Sequence, residues 1–135
     1  MSEGKIVVRA AHAPVSNRYP YSPGMVVGDQ IYVSGQGPIN LATGKIEGAT
    51  LEEQVELTIR NVESILKAAD SGLEDVVKVT AYLLHIEDFD RYNVVYQRLF
   101  PEPRPARTTV EAKLWSGILI EIDAVAIRGC GKKGA

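Results

Sequence analysis

Cysteine is nearly missing from this chain: among 135 residues only Cys130 carries a thiol. That excludes an intrachain disulfide and a cysteine-based zinc site within one chain. The thiol sits in Gly129-Cys-Gly-Lys-Lys-Gly-Ala135, a small polar stretch, and residues from about 130 to 135 read as a flexible tail. Histidine is scarce as well. His12 and His85 stand alone in the sequence, so no metal site is expected on them, and His85 reads as a polar residue at a strand end. Basic blocks are absent before the final residues, and the formal net charge is −2. Nucleic acid is therefore not the expected partner, because phosphate binding needs clustered lysine and arginine. No run approaches the roughly 18 apolar residues that span a bilayer, and Met1-Ser-Glu-Gly-Lys5 lacks the apolar core of a signal peptide. The expected setting is cytoplasmic and reducing, with no membrane partner. Gly35-Gln-Gly-Pro38 is neither a dinucleotide-binding glycine loop nor a Walker motif. Ser34 has no histidine–aspartate partnership that would make a hydrolase triad.

What is present suits one domain over residues 1–135, with 45% hydrophobic and 24% charged residues. Ile6 to Arg9 is a short apolar run that reads as the first strand. His12 to Pro23 reads as a loop. Met25 to Ser34 reads as a β-hairpin, with Gly28-Asp29 as its turn. A second turn is centred on Thr43-Gly44. Thr50 to Ala69 is the clearest helix: Leu51, Val55, Ile59, Val62, Ile65, Leu66 and Ala69 recur at steps of three and four. Thr50 and Glu53 form a capping-box pattern, and Gly72 is the expected stop. Glu52, Glu53, Glu56 and Glu63 read as a solvated outer face. Val76 to Leu84 is a strand, and Asp88 is placed to cap a second helix that Pro101 ends.

The richest stretch runs from Pro105 to Arg128. It reads as two adjacent strands joined by a short loop, Arg107 opening the first and Glu121 lying inside the second. In the second, Ile118 to Ile127, the residues Ile118, Ile120, Ile122, Ala124 and Ala126 point one way. Leu119, Glu121, Asp123, Val125 and Ile127 point the other way. The first set suits a face under two helices. The second is too apolar for open water and suits burial against further copies of the chain. The expectation is an α+β layer, a mixed sheet with two helices on one face, forming a homo-oligomer whose intersubunit clefts hold Arg107 and Glu121.

A guanidinium and a carboxylate in apolar strands need a physical reason. The fork of Arg107 matches a carboxylate in two parallel hydrogen bonds. Glu121 can orient a water or act as acid and base. The plainer reading is that the two pair with each other or with other charges, and Asp123 competes with Glu121 for either role. Tyr21 offers a phenol to a ligand or packs at a subunit contact. Gly35 allows close approach to the backbone or simply makes a turn. Asn93, on the second helix, can reach a loop or a ligand.

Tyr21-Ser-Pro-Gly24, Ile31-Tyr-Val-Ser-Gly-Gln36, Asp88-Phe89 with Tyr92-Asn93, Pro105-Ala-Arg-Thr-Thr-Val-Glu111 and Ile120-Glu-Ile-Asp-Ala-Val-Ala126 together resemble the RidA/YjgF family of reactive-intermediate deaminases. The resemblance runs over nearly the whole chain. It implies a chorismate-mutase-like fold assembled as a homotrimer around a barrel of sheets, with active sites between subunits. It implies hydrolysis of 2-aminoacrylate/2-iminopropanoate and 2-iminobutanoate to 2-keto acids and ammonia, with no metal or organic cofactor. By that resemblance Arg107 binds the substrate carboxylate, Glu121 positions the water, and Tyr21, Gly35, Asn93 and Thr109 line the pocket. Thr109 stands where many members carry cysteine, which bears on substrate range. The loop Lys113-Leu-Trp-Ser-Gly117 is shorter than in some members, and Trp115 there reads as a surface or interface anchor. Two other functions accompany the family: an endoribonuclease or translation inhibitor, which the acidity opposes, and a noncatalytic small-molecule binder or chaperone-like oligomer.

Overall fold

A computed structural model of the chain describes residues 4–9 and 19–133; residues 12–18 of the expected His12–Pro23 loop, His12 among them, lie outside the described residues. Six strands form one sheet in the order β1-β2-β3-β6-β4-β5. They are β1 (Ile6–Val8), β2 (Gly24–Val27), β3 (Gln30–Gln36), β4 (Val76–Leu83), β5 (Ala106–Glu111) and β6 (Ile120–Ile127). Helices α1 (Leu51–Ala68) and α2 (Phe89–Leu99) pack side by side on one face. β3 and β4 both run antiparallel to β6. They are therefore parallel to one another, joined by α1, with β6 inserted between them as in a split βαβ unit. β5 follows α2 and adds in parallel to the outside of β4.

The core follows from alternation. Ile120, Ile122, Ala124 and Ala126 face the helices and are buried with Ile31, Val33, Val79, Ala81 and Leu83. Val55, Ile59, Val62, Ile65 and Leu66 descend onto them from α1. Each such aliphatic side chain contributes about 1.5–3 kcal/mol by leaving water. Two polar residues of α1 share the buried stripe and hold loops. Gln54 Nε2 donates to Gly48 O and Gly117 O at 3.2 and 3.0 Å, while its Oε1 accepts from Leu119 N at 2.8 Å. Asn61 Nδ2 donates to Gly37 O and Ile39 O.

Several local expectations change. The strands carrying Arg107 and Glu121 are not neighbours, because β4 lies between them. The loop 112–119 is long enough to cross the two strand spacings, about 10 Å. α1 begins with the expected capping box, but its stop is Asp70 rather than Gly72. Asp70 takes the left-handed conformation (φ 58), and Ser71 N donates to Leu66 O at 2.9 Å, closing a Schellman turn. Gly72 is extended. Asp88 occupies the N-cap position of α2 but makes no side-chain cap bond; its carboxylate accepts from Arg91 Nη1 at 3.3 Å. The outer glutamates do more than meet solvent. Glu52 pairs with Arg91 at 2.8 Å and Glu56 with Arg98 at 3.0 Å, clipping α1 to α2. The Arg91 hydrogen bond holds the Glu52 pKa down at about 2.

The segment read as a loose tail starts as a short helix, α3 (Cys130–Lys133), because Asp75 anchors it. This carboxylate is buried and accepts from Ser71 Oγ (2.7 Å), Gly129 N (2.9 Å) and Gly131 N (2.9 Å). Cys130 Sγ donates to the Asp75 carbonyl at 3.4 Å. Burial alone would raise the Asp75 pKa, but these donors and Lys132 outweigh it and hold the group below its ordinary 3.8. A lowered native pKa means stability that is present above the unfolded value and lost as pH falls through the native one. Asp75→Ala is expected to cost about 3 kcal/mol, since three donors lose their acceptor. Urea unfolding at fixed protein concentration reads that loss. The gap between wild type and variant should narrow as pH drops below 3.8; a gap constant with pH would mean that the charge contributes nothing.

Candidate functional site

Strand register decides which candidate residues meet. In the β4–β5 pair Val79 lies beside Arg107 and Ala81 beside Thr109. Val79 and Ala81 are buried under the helices, so Arg107 and Thr109 share that face at the sheet's edge. α2 supplies a bed for the guanidinium. Arg107 Cζ lies 4.6 Å from the Tyr96 ring centroid, 4.9 Å from that of Tyr92 and 5.5 Å from that of Phe89. Each such contact is worth about 0.5–2 kcal/mol. The Tyr92 hydroxyl shares a 3.0 Å hydrogen bond with Thr109 Oγ1. Burial raises the Tyr92 pKa, while the Thr109 bond and the Arg107 charge oppose the rise. Tyr96 is pushed further up, by burial first and then by Tyr92. Asn93 follows Phe89 by one turn, on the flank that carries the Arg107 bed. Among the described residues no carboxylate pairs with Arg107.

Glu121 lies on the opposite face. It sits across from Tyr82, while the next residue, Ile122, sits across from buried Ala81. A β-bulge in β3 puts Ser34 and Gly35 together against one residue of β6, between the pairs Val33↔Ala124 and Gln36↔Ile122. The bulge brings the Gly35 backbone against the Glu121 carboxylate, in the space where any Cβ would stand. Glu121 is half-buried and, among the described residues, has no hydrogen-bond or ionic partner. Burial, and secondarily the charge of Asp123, raises its pKa. Asp123 itself accepts from the Tyr82 hydroxyl at 2.8 Å, a bond that raises the Tyr82 pKa. Tyr21 stands on the same side, largely exposed, lining a hollow with Met25, Tyr32 and Ser34. Ser34 Oγ donates to Ser22 O at 2.5 Å and ties this loop to β3.

The six candidate residues thus divide into two half-sites within one chain. Asn93, Arg107 and Thr109 gather at the helix-side edge, whereas Tyr21, Gly35 and Glu121 gather on the open face. Arg107 and Glu121 do not pair with each other. The aromatic bed under Arg107 was missed as a functional feature in the sequence, where Phe89, Tyr92 and Tyr96 read only as an apolar helix side; aromatics at i, i+3 and i+7 facing a strand with one arginine are the signal that could have found it. Among the described residues, no group of three His, Cys, Asp or Glu side chains could hold a metal ion, and no helix is long and apolar enough to cross a membrane.

This fold, an α+β single domain with two helices on one side of a mixed sheet, is that of the L-PSP/YjgF proteins. The model of the endoribonuclease L-PSP family matches residues 11–128, and the chain belongs to that family, RidA/YjgF by its other name. A RutC family protein of Pyrococcus abyssi is 40% identical over 129 residues, covering 95% of this chain and 99% of that protein. The human 2-iminobutanoate/2-iminopropanoate deaminase is 37% identical over 124 residues, covering 91% and 90%. The crystal structure of Escherichia coli TdcF with bound serine superposes with a TM-score of 0.83 at 31% identity, covering 92% of this chain and 99% of that one.

Proposed function

We propose that this chain is a subunit of a homotrimeric imine deaminase that hydrolyses small 2-imino acids to 2-keto acids and ammonia. The observation that carries the reading is the division of the site. Among the described residues Arg107 and Glu121 are both free of ionic partners, both half-buried, and on opposite faces of one sheet, an arrangement that supports a site completed where the β5 edge of one copy meets the open face of another. That open face carries Met25, Tyr32, Tyr82 and Val125 and is unusually apolar for permanent exposure. The kinship with the human deaminase and the serine held by TdcF fit a site for small amino-acid-derived carboxylates.

In this reading the Arg107 fork grips the substrate carboxylate, and its aromatic bed keeps the fork from swinging. A water held by Glu121 adds its oxygen to the imine carbon, and its proton passes by way of Glu121 to the nitrogen. The carbinolamine then collapses: its hydroxyl proton passes to the amino group, the C–N bond breaks, ammonia leaves, and the C=O of the keto acid forms. A carboxylate with a raised pKa suits this proton traffic. The test generates 2-iminopropanoate in solution with an amino-acid oxidase and follows pyruvate release. Acceleration over buffer is expected; none at any enzyme concentration would reject the reading.

The pH profile gives a second check. Glu121 acts as base only when ionised, so kcat/KM should fall as pH drops through its raised pKa. Asp123→Asn removes the neighbouring negative charge that helps to raise it, so the acid limb should move to lower pH. A limb that stays put, or moves upward, would take the proton-transfer role away from Glu121.

A further inference from the structure

Glu121 also forms one wall of a cleft of about 420 Å³, whose other walls are Tyr82, Ala112, Lys113, Leu114 and Trp115. The last four belong to the loop joining β5 to β6. This loop is held at several points. Ala112 N donates to Leu83 O and Leu84 N to Leu119 O, at 2.9 and 3.0 Å. A turn closes from Ile118 N to Trp115 O at 3.0 Å, with Gly117 in the left-handed region (φ 89) that L side chains avoid. The buried Gln54 side chain bonds Gly117 O and Leu119 N from below. On this fastened loop Trp115 is 80% exposed. A large apolar ring held in water beside a half-buried carboxylate is built to be covered by something apolar.

The cleft's polar groups are few. The Tyr82 hydroxyl is committed to Asp123, and Lys113 is exposed, so its ammonium gains little from an ion pair. What remains is the Glu121 carboxylate at one end and the surface of Leu114, Trp115 and Ala112 at the other. In the single chain this volume lies in the range of small-molecule sites, about 300–1,000 Å³.

We propose that Leu114 and Trp115 form the wall that receives the substrate's side chain, so that this enzyme prefers 2-imino acids bearing large apolar groups, branched or aromatic, over 2-iminopropanoate. The inference rests on the deaminase reading. With the carboxylate fixed by Arg107 and the reacting carbon beside Glu121, the side chain runs along the cleft toward Trp115. Burying each methylene strengthens binding about fourfold, so a leucine-derived imine should gain tenfold or more over the alanine-derived one even at a partly open wall.

The experiment compares imines generated by an amino-acid oxidase from alanine, leucine, phenylalanine and glutamate, using the full chain. Wild type is expected to show kcat/KM at least about tenfold higher for the leucine and phenylalanine imines. Trp115→Ala should lose about that factor on those two and change less than about twofold on the alanine imine, and Trp115→Phe should keep most of the preference. Because Trp115 is the sole tryptophan, its emission supplies a readout independent of turnover: 4-methyl-2-oxopentanoate should shift it to the blue at lower concentration than pyruvate does. Equal losses on large and small imines, a preference for the glutamate imine, or a Trp115→Ala protein of altered oligomeric mass would each overturn the proposal. Hydrolysis without side-chain preference sinks this inference and leaves the deaminase reading intact. A tryptophan shift with 4-methyl-2-oxopentanoate but no hydrolysis of any imine sinks the deaminase reading and keeps the apolar subsite.

Discussion

Arg107→Ala should lower kcat/KM for imine hydrolysis by about a thousandfold, close to 4 kcal/mol of lost transition-state stabilisation. Two effects add. On the proposed reading the substrate would lose a charge-assisted, two-pronged hydrogen bond, and the imine carbon its fixed position relative to the water on Glu121. Arg107→Lys separates them. A lysine keeps the charge but not the planar fork, so a loss of about a hundredfold is expected, with most of the remaining rate carried by electrostatic attraction. Neither change should unfold the chain. The guanidinium rests on the faces of Phe89, Tyr92 and Tyr96 at the sheet's edge, and removing it forfeits three contacts of about 0.5–1 kcal/mol each at a half-exposed site. Steady-state kinetics with light-scattering mass on the same preparations provides the check. Activity within tenfold of wild type in a folded Arg107→Ala protein would show that the substrate carboxylate is bound elsewhere.

The second large effect is expected from the smallest substitution. Gly35→Ala adds one methyl group where the Glu121 carboxylate now lies. The β-bulge is tied to β6 on one side and, through Ser34 N to Pro23 O (3.0 Å), to the preceding loop on the other, so the carboxylate must move instead. If Glu121 holds the attacking water as proposed, its displacement by about an ångström should cost on the order of a hundredfold in rate. Glu121→Gln should cost at least as much, because an amide cannot accept the water's proton. The two changes act through one group, so the double variant Gly35→Ala/Glu121→Gln should be no worse than Glu121→Gln alone. Multiplying losses in that cycle would mean that Gly35 works by another route, such as lining the pocket directly.

Much of the architecture was legible because its signals are local. The α1 stripe from Leu51 to Ala69, the Thr50–Glu53 box and the alternation from Ile118 to Ile127 depend on period and capping chemistry, and each reappears in the fold. Strand order was less legible. The short loop after Glu111 suggested a hairpin, yet β4 intervenes, because a strand's partner is chosen by the whole sheet and not by the length of one connection. Gly72 looked like the helix stop, but Asp70 met the same geometric need two residues earlier. The candidate site was legible as a set of residue types and not as an arrangement. Nothing in the spacing of Arg107 and Glu121 says that one faces the helices and the other faces away; that follows from pairing with Val79 and Tyr82 across strands far apart in sequence. Gln54 and Asn61 were invisible as loop anchors, since polar residues inside an apolar stripe carry no sign of the carbonyls they will meet.

β6 is the middle of the molecule in space and the last of the six strands in synthesis. Until it emerges, β1–β3 and β4–β5 are two fragments with no shared ladder, and the underside of α1 has only half a floor. Vectorial folding from the N-terminus therefore gains little here: the wait for residues beyond 119 exposes Ile31, Val33, Val79 and Ala81 together, and a chaperone that shields apolar strand edges during that interval would have its clearest task on this chain.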